Sequence, residues 1–430
     1  MNDLDTTRVV VTGCGVVSAL ALEVDRHWSR LLDGESGVVA CDRPDCLTLP
    51  PHLAALIQGF DRRDHVRDRV VRKLLSPNGA YPVAAAGDAI RHAGLEDRPD
   101  VLEGAGLYVG SLAFDIPPDT FLPALKESFD RDGEFQMARY AQRGLKVIDP
   151  LFLVKALPNG GLCGISIQYQ ILGANTNITN GAVSGLQAVA AAAGAIRRGE
   201  VEVAVTGGYD SNVTVDGLVE YLLAGRLSSR MDDAAGACRP FDVDRDGSAL
   251  GEGAAFLVLE SEAHARARGA TIWAELGAVA QTSHCELLRD GGRGSNGALE
   301  EAARRAMAMA GVLPDDLGAI YGDGLATVEA DLMEAAVVQT VVGDARVPFT
   351  AATGALGYAG AASGVFSLVH AVLSVRDEVI PPMTNCREVD PRCPVDAQPA
   401  RRPRTGDPLL VWQSDAGLKN IAMVVRPGRG

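Results

Sequence analysis

Apolar residues follow two rhythms along this chain. Short runs dense in Val, Ile, Leu and Ala stand at 105–110, 201–206, 254–260, 271–280, 318–321 and 421–426. Apolar character packed into so short a stretch marks a buried or half-buried strand. Between them, stretches at 79–94, 182–198, 297–311, 328–341 and 361–376 repeat their apolar residues every three or four positions, the spacing of a helix with one buried face. The opening run "RVVVTGCGVVSAL" (8–20) adds a strand that leads into a Gly-rich turn. Strands alternating with helices predict an α/β fold. The pattern also repeats. A strand near residue 8 and another near 254 each lead through a long excursion to a helix that starts on small residues, Gly181-Ala182 in one case and Gly357-Tyr358-Ala359-Gly360 in the other. This predicts two related halves, 1–253 and 254–430, packed face to face without a long linker, with 398–408 and 426–430 as surface loop and tail.

Composition narrows the functional classes. The chain has 430 residues, 47% hydrophobic and 22% charged, with a net charge of −15. That length supports one large buried body or two fused ones. The acidic balance argues against nucleic acid as a main partner, because phosphate binding needs a basic surface. No apolar run reaches the roughly 18–20 residues of a membrane helix. The start, "MNDLDTTRVVVTG", lacks the basic-then-apolar order of a signal peptide, so the expectation is a cytoplasmic protein. The eight cysteines are scattered without a CxxC or a Cys/His cluster, so no metal site is expected. Gly13 and Gly15 resemble the start of a dinucleotide loop, but Ser18 replaces its third glycine, so no nucleotide cofactor is expected.

The segment "NITNGAVSGLQAVAAAAGAIRRGEVEVAVTGG" (177–208) has the shape of a nucleophile site: a strand, a small-residue turn and an Ala-rich helix. A helix N-terminus stabilises a thiolate and so suits acyl transfer. Here the turn reads Gly181-Ala182-Val183-Ser184, and its central side chain is a methyl group.

The chain closely resembles the β-ketoacyl-ACP synthases of the thiolase fold over nearly its whole length. The opening "RVVVTGCGVVSALALEVDRHWSRLLDGESGV", the segment "IDPLFLVKALPN" (148–159) and above all "GRLSSRMDDAAGACRPFDVDRDGSALGEGAAFLVLESEAHARARGATIWAEL" (225–276) carry the likeness. The resemblance implies a thiolase-like fold with layers α-β-α-β-α. It also implies a Cys nucleophile, two His that hold the malonyl thioester during decarboxylation, and a Lys that tunes one of them. Carried over residue by residue, the Cys position is Ala182. The first His, in a His-Gly-Thr-Ser-Thr motif, falls on Asp323 of "DGLAT" (323–327), with Leu325 at the first pantetheine-facing Thr and Thr327 kept. In "FTAATGALGYAG", the Lys falls on Phe349 and the second His on Gly354, and the C-terminal Gly-Phe-Gly-Gly loop reads Asp415-Ala416-Gly417-Leu418. The seven His residues, at 27, 52, 65, 92, 264, 284 and 370, supply no replacement, and only His284 lies in a loop expected near the site.

Four degenerate positions in an otherwise kept frame resemble the chain-length factor, the ketosynthase β-subunit of type II polyketide synthases, aromatic or polyene. That family implies a heterodimer with a catalytic ketosynthase subunit. The strand "GANTNITN" (173–180), including Asn177 and Thr179, would pair across the two-fold axis. The insertion at about 110–150 would wall the partner's acyl tunnel, with Ala113, Phe114, Phe121, Met137, Leu151 and Phe152 as candidates. Arg69, Arg72 and Lys73 in "VRDRVVRKLL" (66–75) fall at i, i+3 and i+4 on one helix face, where ketosynthases receive the acidic acyl carrier protein. The other readings left by the sequence are a homodimeric pseudo-ketosynthase that binds acyl chains or scaffolds a complex, and an enzyme of altered chemistry using Asp323.

Overall fold

The computed structural model describes residues 7–42, 49–112, 120–284, 296–415 and 418–428. Among the described residues, ten strands form the main path of a 12-stranded sheet, with the short strands Val38–Ala40 and Leu53–Ala55 off that path. The first five are β1 (Val9–Val17), β2 (Gly106–Ser111), β3 (Asn175–Ile178), β4 (Val203–Ser211) and β5 (Leu250–Ser261). The second five are β6 (Ala274–Ser283), β7 (Ala319–Gly322), β8 (Phe349–Ala351), β9 (Leu409–Asp415) and β10 (Lys419–Arg426). The helices that cover them are α1 (Val24–Leu32), α2 (Arg69–Leu74), α3 (Tyr81–His92), α4 (Gly160–Tyr169), α5 (Ser184–Arg197), α6 (Val215–Leu223), α7 (Gly297–Ala310), α8 (Val328–Val342) and α9 (Ser363–Asp377).

The spatial order is β8-β7-β9-β10-β6-β1-β5-β4-β2-β3. Each set of five therefore has the same order, third-second-fourth-fifth-first, and the two sets meet through antiparallel pairing of β1 with β6, Val9 opposite Leu276. Directions repeat as well. β2 runs parallel to β3 and β4, as β7 does to β8 and β9. β5 and β10, the fifth strands, are antiparallel to both their neighbours. The strand order thus repeats once along the chain, and the expected division stands at 253/254. That point falls inside β5, which pairs with β1 and β4, and the second set opens at β6 near residue 274.

Layering follows from which faces are apolar. Helices α5 and α9 share one core with the inner faces of both sets of strands. Helices α3 and α4 cover the outer face of the first set, and α7 and α8 that of the second. This is a thiolase-like α-β-α-β-α stack. Gly13 and Gly15 serve this packing. Both lie within β1, and a Cβ on either would strike a backbone carbonyl of α3, Ala89 at 2.2 Å or Ala85 at 2.0 Å. The main elements absent from the sequence reading are α4, α6, β8 and β9. The Gly-rich "GGLCGISIQY" of α4 lacks a strong local helix signal, and β9, "LLVWQSD", directly follows a Pro/Arg-rich stretch.

Two buried imidazoles join the layers. His27 of α1 and His370 of α9 meet Nε2 to Nε2 at 2.8 Å, and His27 Nδ1 bonds the Ser18 hydroxyl at 2.7 Å. Burial, with a smaller push from Arg30, lowers the His27 pKa to about 3, and burial plus His27 lowers that of His370 well below the usual range. Both rings are therefore neutral in the fold. The unfolded chain takes up their protons near pH 6.5, so their contribution is complete above that pH and is lost as pH falls toward the folded values. The unfolding free energy, measured by urea titration, should decline between about pH 6.5 and 4, and this decline should flatten in a His27→Gln/His370→Gln variant. An identical pH slope in that variant would rule the pair out as its source.

Candidate functional site

The end of β9 organises the site. Gln413, oriented so that its amide is satisfied at both ends, donates to the Ala182 carbonyl at 3.1 Å and accepts from Gly364 N–H at 3.2 Å. The next residue, Ser414, donates its backbone N–H to Asp323 Oδ2 at 2.8 Å. The next, Asp415, lies against Gly181, where a Cβ would come within 1.9 Å of its Oδ2. Lys419 Nζ stands 3.6 Å from that carboxylate and donates to the Asn180 carbonyl at 3.2 Å. Ala182 and Asp323, far apart in sequence, are thus brought together by three consecutive residues of one strand. Gly181 adopts φ +75°, the left-handed turn that lets β3 lead into α5. Ala182 itself is buried.

Behind Asp323 stands a group of buried carboxylates. Glu334 of α8 accepts from the backbone N–H of Asp323 and of Gly324, each at 2.8 Å, and from Trp412 Nε1 at 2.7 Å. Asp331, one turn earlier, accepts from the N–H of Phe241 and Ala326, and pairs with Arg245 at 3.2 Å. Arg245 is shared with Asp390 at 2.8 Å. Burial pushes the Asp331 carboxyl up to about 7. Burial, and then the Glu334 charge, hold Asp323 well above the usual carboxylate range, and burial also raises Glu334. Asp323 therefore serves as a hydrogen-bond anchor for the Ser414 N–H, in surroundings that oppose its ionisation.

Phe349 fills the space beneath this group. It is fully buried, packs edge-on against Phe241 at 5.1 Å and near Trp412 at 6.2 Å, and abuts Gly322. Gly354 is buried against Thr384 and Pro240, and it does not line the small pocket beside Asp323. That pocket is walled by Asp323, Leu325, Thr353, Tyr358 and Phe366, and its free space is about that of one water molecule. His27 and His370 are paired in the core away from Ala182. His52, His65, His92 and His264 bond or stack elsewhere. The His284 backbone N–H donates to the Leu418 carbonyl at 2.8 Å, at the rim of the β9–β10 hairpin. No group of three or more metal-ligating side chains occurs among the described residues. The participation of Asp331, Glu334, Gln413 and Tyr358 was missed in the sequence. A signal did exist for two of them: Asp331 and Glu334 share the face of α8 that carries Ala335 and Val338.

The outlying candidates fall into three groups. Ala113 and Phe114 lie outside the described residues. Phe121 and Phe152 meet edge to face at 5.2 Å, while Met137 and Leu151 are exposed on the surface of the same region. Leu122, Leu125, Phe129, Leu145, Leu153 and Ile167 are also exposed. Asn177 lies on β3, at the outer end of the sheet, and donates to the Ser111 hydroxyl at 3.1 Å, while Thr179 is exposed just beyond the strand. On α2, Arg69 and Lys73 are exposed, but Arg72 turns back to donate to the Val66 carbonyl at 2.7 Å. The expected three-cation face thus presents two free heads, because the third is spent holding the turn before the helix.

The chain belongs to the β-ketoacyl synthase family: residues 6–265 match its N-terminal domain and residues 282–387 its C-terminal domain. It is 29% identical to "3-oxoacyl-[acyl-carrier-protein] synthase 2" of Mycobacterium bovis, over 98% of this chain and 97% of that one. It is 28% identical to the protein of the same name from Staphylococcus aureus, over 91% of each. Among solved structures, "The ishigamide ketosynthase/chain length factor" is similar at 26% identity and a TM-score of 0.83, covering 98% of this chain and all of that one. A type II polyketide ketosynthase in complex with its acyl-carrier protein shares the fold, at 22% identity and a TM-score of 0.79 over 98% of this chain and all of that one.

The raised carboxylates make the site a source of strain at high pH. A group whose folded pKa is raised contributes fully below its unfolded pKa and loses that contribution as pH climbs through the folded value. Asp323→Asn keeps the acceptor for Ser414 and removes the ionisation. Its melting temperature should exceed that of the wild type by a few degrees at pH 8 and by much less at pH 4.5. A variant less stable than the wild type at pH 8 would show that Asp323 is held there as a needed anion.

Proposed function

We propose that this member of the β-ketoacyl synthase family is the non-catalytic, chain-length-factor subunit of a ketosynthase heterodimer in type II polyketide biosynthesis, aromatic or polyene. On this reading it completes and shapes the acyl tunnel of an active partner, needs no cofactor, works in the cytoplasm and meets an acyl carrier protein through the complex. The observation that carries the reading is the coincidence of an intact frame with a methyl group where a nucleophile would stand. The strand, turn and helix around Ala182 are built and buried, yet Ala182 offers no atom to accept an acyl group.

The surroundings agree with that reading. Decarboxylation builds negative charge, which imidazoles and backbone donors would stabilise. Asp323, Asp415, Glu334 and Asp331 are carboxylates, and Phe349 brings no charge at all. The curated relatives are named as synthases, and this chain departs from a synthase at the positions that do the chemistry. Likeness to a ketosynthase/chain length factor structure over the whole chain supports the subunit assignment. So do β3, whose pairing is one-sided, and the apolar surface spanning Leu122 to Leu172. Such a surface suits a large interface rather than solvent. Arg69 and Lys73 are proposed to face the carrier protein, and Asn177 and Thr179 the partner strand. Among the described residues, no helix is long and apolar enough to cross a membrane.

Co-expression with a ketosynthase encoded alongside it should give a 1:1 complex on size exclusion. An interface of this class buries about 2,000–5,000 Å². Failure of the two chains to co-elute at micromolar concentration would reject the heterodimer.

Product length offers a separate test. If Phe121 and Phe152 brace the tunnel end, Phe152→Ala should lengthen or broaden the carrier-bound products seen by mass spectrometry, while turnover changes less. An unchanged length distribution from an assembled complex would remove this region from chain-length control.

A further inference from the structure

Among the described residues, five that are not glycine adopt a positive φ, and two of these, Phe241 and Ala326, are fully buried at φ +60° each. Side chains with a Cβ avoid this left-handed region, and a ring as large as Phe is an outlier there. Such strain persists only where the surroundings impose it. Here one side chain holds both residues. Asp331 of α8 accepts the Phe241 N–H on Oδ2 at 2.8 Å and the Ala326 N–H on Oδ1 at 3.1 Å. A single carboxylate thus clasps two loops, 239–242 and 323–327, that lie far apart in sequence. The loops also touch: a Cβ on Gly324 would come within 3.1 Å of Pro240 and 3.3 Å of Phe241. The second loop carries Asp323, whose Oδ2 takes the Ser414 N–H, and Thr327, whose hydroxyl caps α8 by accepting the Ala330 N–H at 3.4 Å.

Charged and titratable groups surround this carboxyl. Arg245 stands 3.2 Å from Oδ2 and is shared with Asp390 at 2.8 Å, so it keeps a partner when Asp331 is neutral. Glu334, one turn further along α8, holds the N–H groups of Asp323 and Gly324. The Cys393 thiol reaches the Asp331 carbonyl at 3.9 Å. Burial pushes that thiol up to about 11, and those of Cys238 and Cys386 up to about 12, so all three are neutral. Burial likewise pushes the Asp331 carboxyl up to about 7, with the Glu334 charge adding to it, against the pull of Arg245 and of the bonds from Phe241 and Ala326. Both protonation states are therefore populated near neutral pH. Because the two backbone bonds lower the pKa, linkage requires a proton on the carboxyl to weaken both bonds.

We propose that Asp331 is a proton-operated latch on the loop that carries Asp323. Ionised, it holds Phe241 and Ala326 in their left-handed turns. Protonated, it lets the 323–327 segment relax out of the strained conformation. The position of Asp323, and with it the anchoring of β9 through Ser414, then depends on pH. The latch is a property of this chain and does not rest on the function proposed above. Its sign is distinct from that of global stability. A carboxyl with a raised folded pKa favours the folded chain at low pH, so acidification through pH 7 loosens this loop without weakening the fold.

Hydrogen–deuterium exchange of the full chain, in whatever assembly it forms, tests the latch. Protection factors, in which the intrinsic pH dependence of exchange is divided out, are compared at pH 8 and pH 6. In the wild type, protection of the peptide covering 323–330 should fall at least about threefold from pH 8 to pH 6, as expected of a local opening, while peptides of β5 stay constant. Asp331→Asn keeps the shape of the side chain and cannot ionise, so it should give lower protection at both pH values and no slope. A flat wild-type profile would overturn the proposal, and so would an unchanged slope in Asp331→Asn. If that variant does not fold, Ala326→Gly decides. Glycine is at ease at this φ, so the latched loop should keep more protection at pH 6 than in the wild type. Equal or lower protection there would overturn the latch.

Discussion

Two helix starts and one strand touch backbone to backbone in the layer between the sheets, and the rest of the site is positioned from that contact. A Cβ on Gly185, in the first turn of α5, would meet the Ala361 carbonyl at the start of α9 at 2.2 Å. A Cβ on Gly208 of β4 would meet the same carbonyl at 2.4 Å. Asp210 Oδ2 accepts the Ala361 N–H at 3.2 Å and so fixes the same corner. Contacts this close tolerate no added methyl group without backbone movement, at a cost of about 1–3 kcal/mol or more. The geometry around Ala182 is therefore set by packing rather than by catalysis. Such packing would hold the frame of an acyl-transfer site whether or not its reactive groups were kept.

What has changed is the charge. A ketosynthase-like site would need cations or neutral donors facing a growing negative charge. Here Asp323 anchors the end of β9, Asp415 covers the turn before Ala182, and Phe349 occupies apolar space between Phe241 and Trp412. Buried carboxylates with raised pKa values cost stability as they ionise. The hydrogen bonds they accept from Ser414, Gly324, Trp412 and Phe241 hold the loops of the site in one arrangement. On the proposed reading, these bonds serve structure rather than chemistry.

Much of this architecture is legible from periodicity alone, because most strands are short buried runs and the central helices are Ala-rich with small residues at their starts. The repeat is also legible, though its seam is not. β5 is buried along its whole length and reads in sequence like an opening strand, whereas its partners β1 and β4 lie far away in sequence. Gly13 and Gly15 show the opposite problem, since a glycine needed for close packing is indistinguishable in sequence from one that cradles a phosphate. Asp331 and Glu334 carry a readable sign, being acidic on an apolar helix face. Tyr358 carries none. Its place in the pocket wall and against the ring of Tyr221 brings together residues far apart in sequence, and no local pattern signals it.

The central claim is that this chain keeps the fold of its family and none of its chemistry. The most direct measurement is carbon dioxide release from malonyl-carrier protein by the purified single chain, followed with a labelled carboxyl group. The account predicts release at the rate of the protein-free control, and no gain in an Ala182→Cys variant, because Asp323 and Gly354 stand where the family resemblance implies the two imidazoles. Release above the control from the wild-type chain would contradict it.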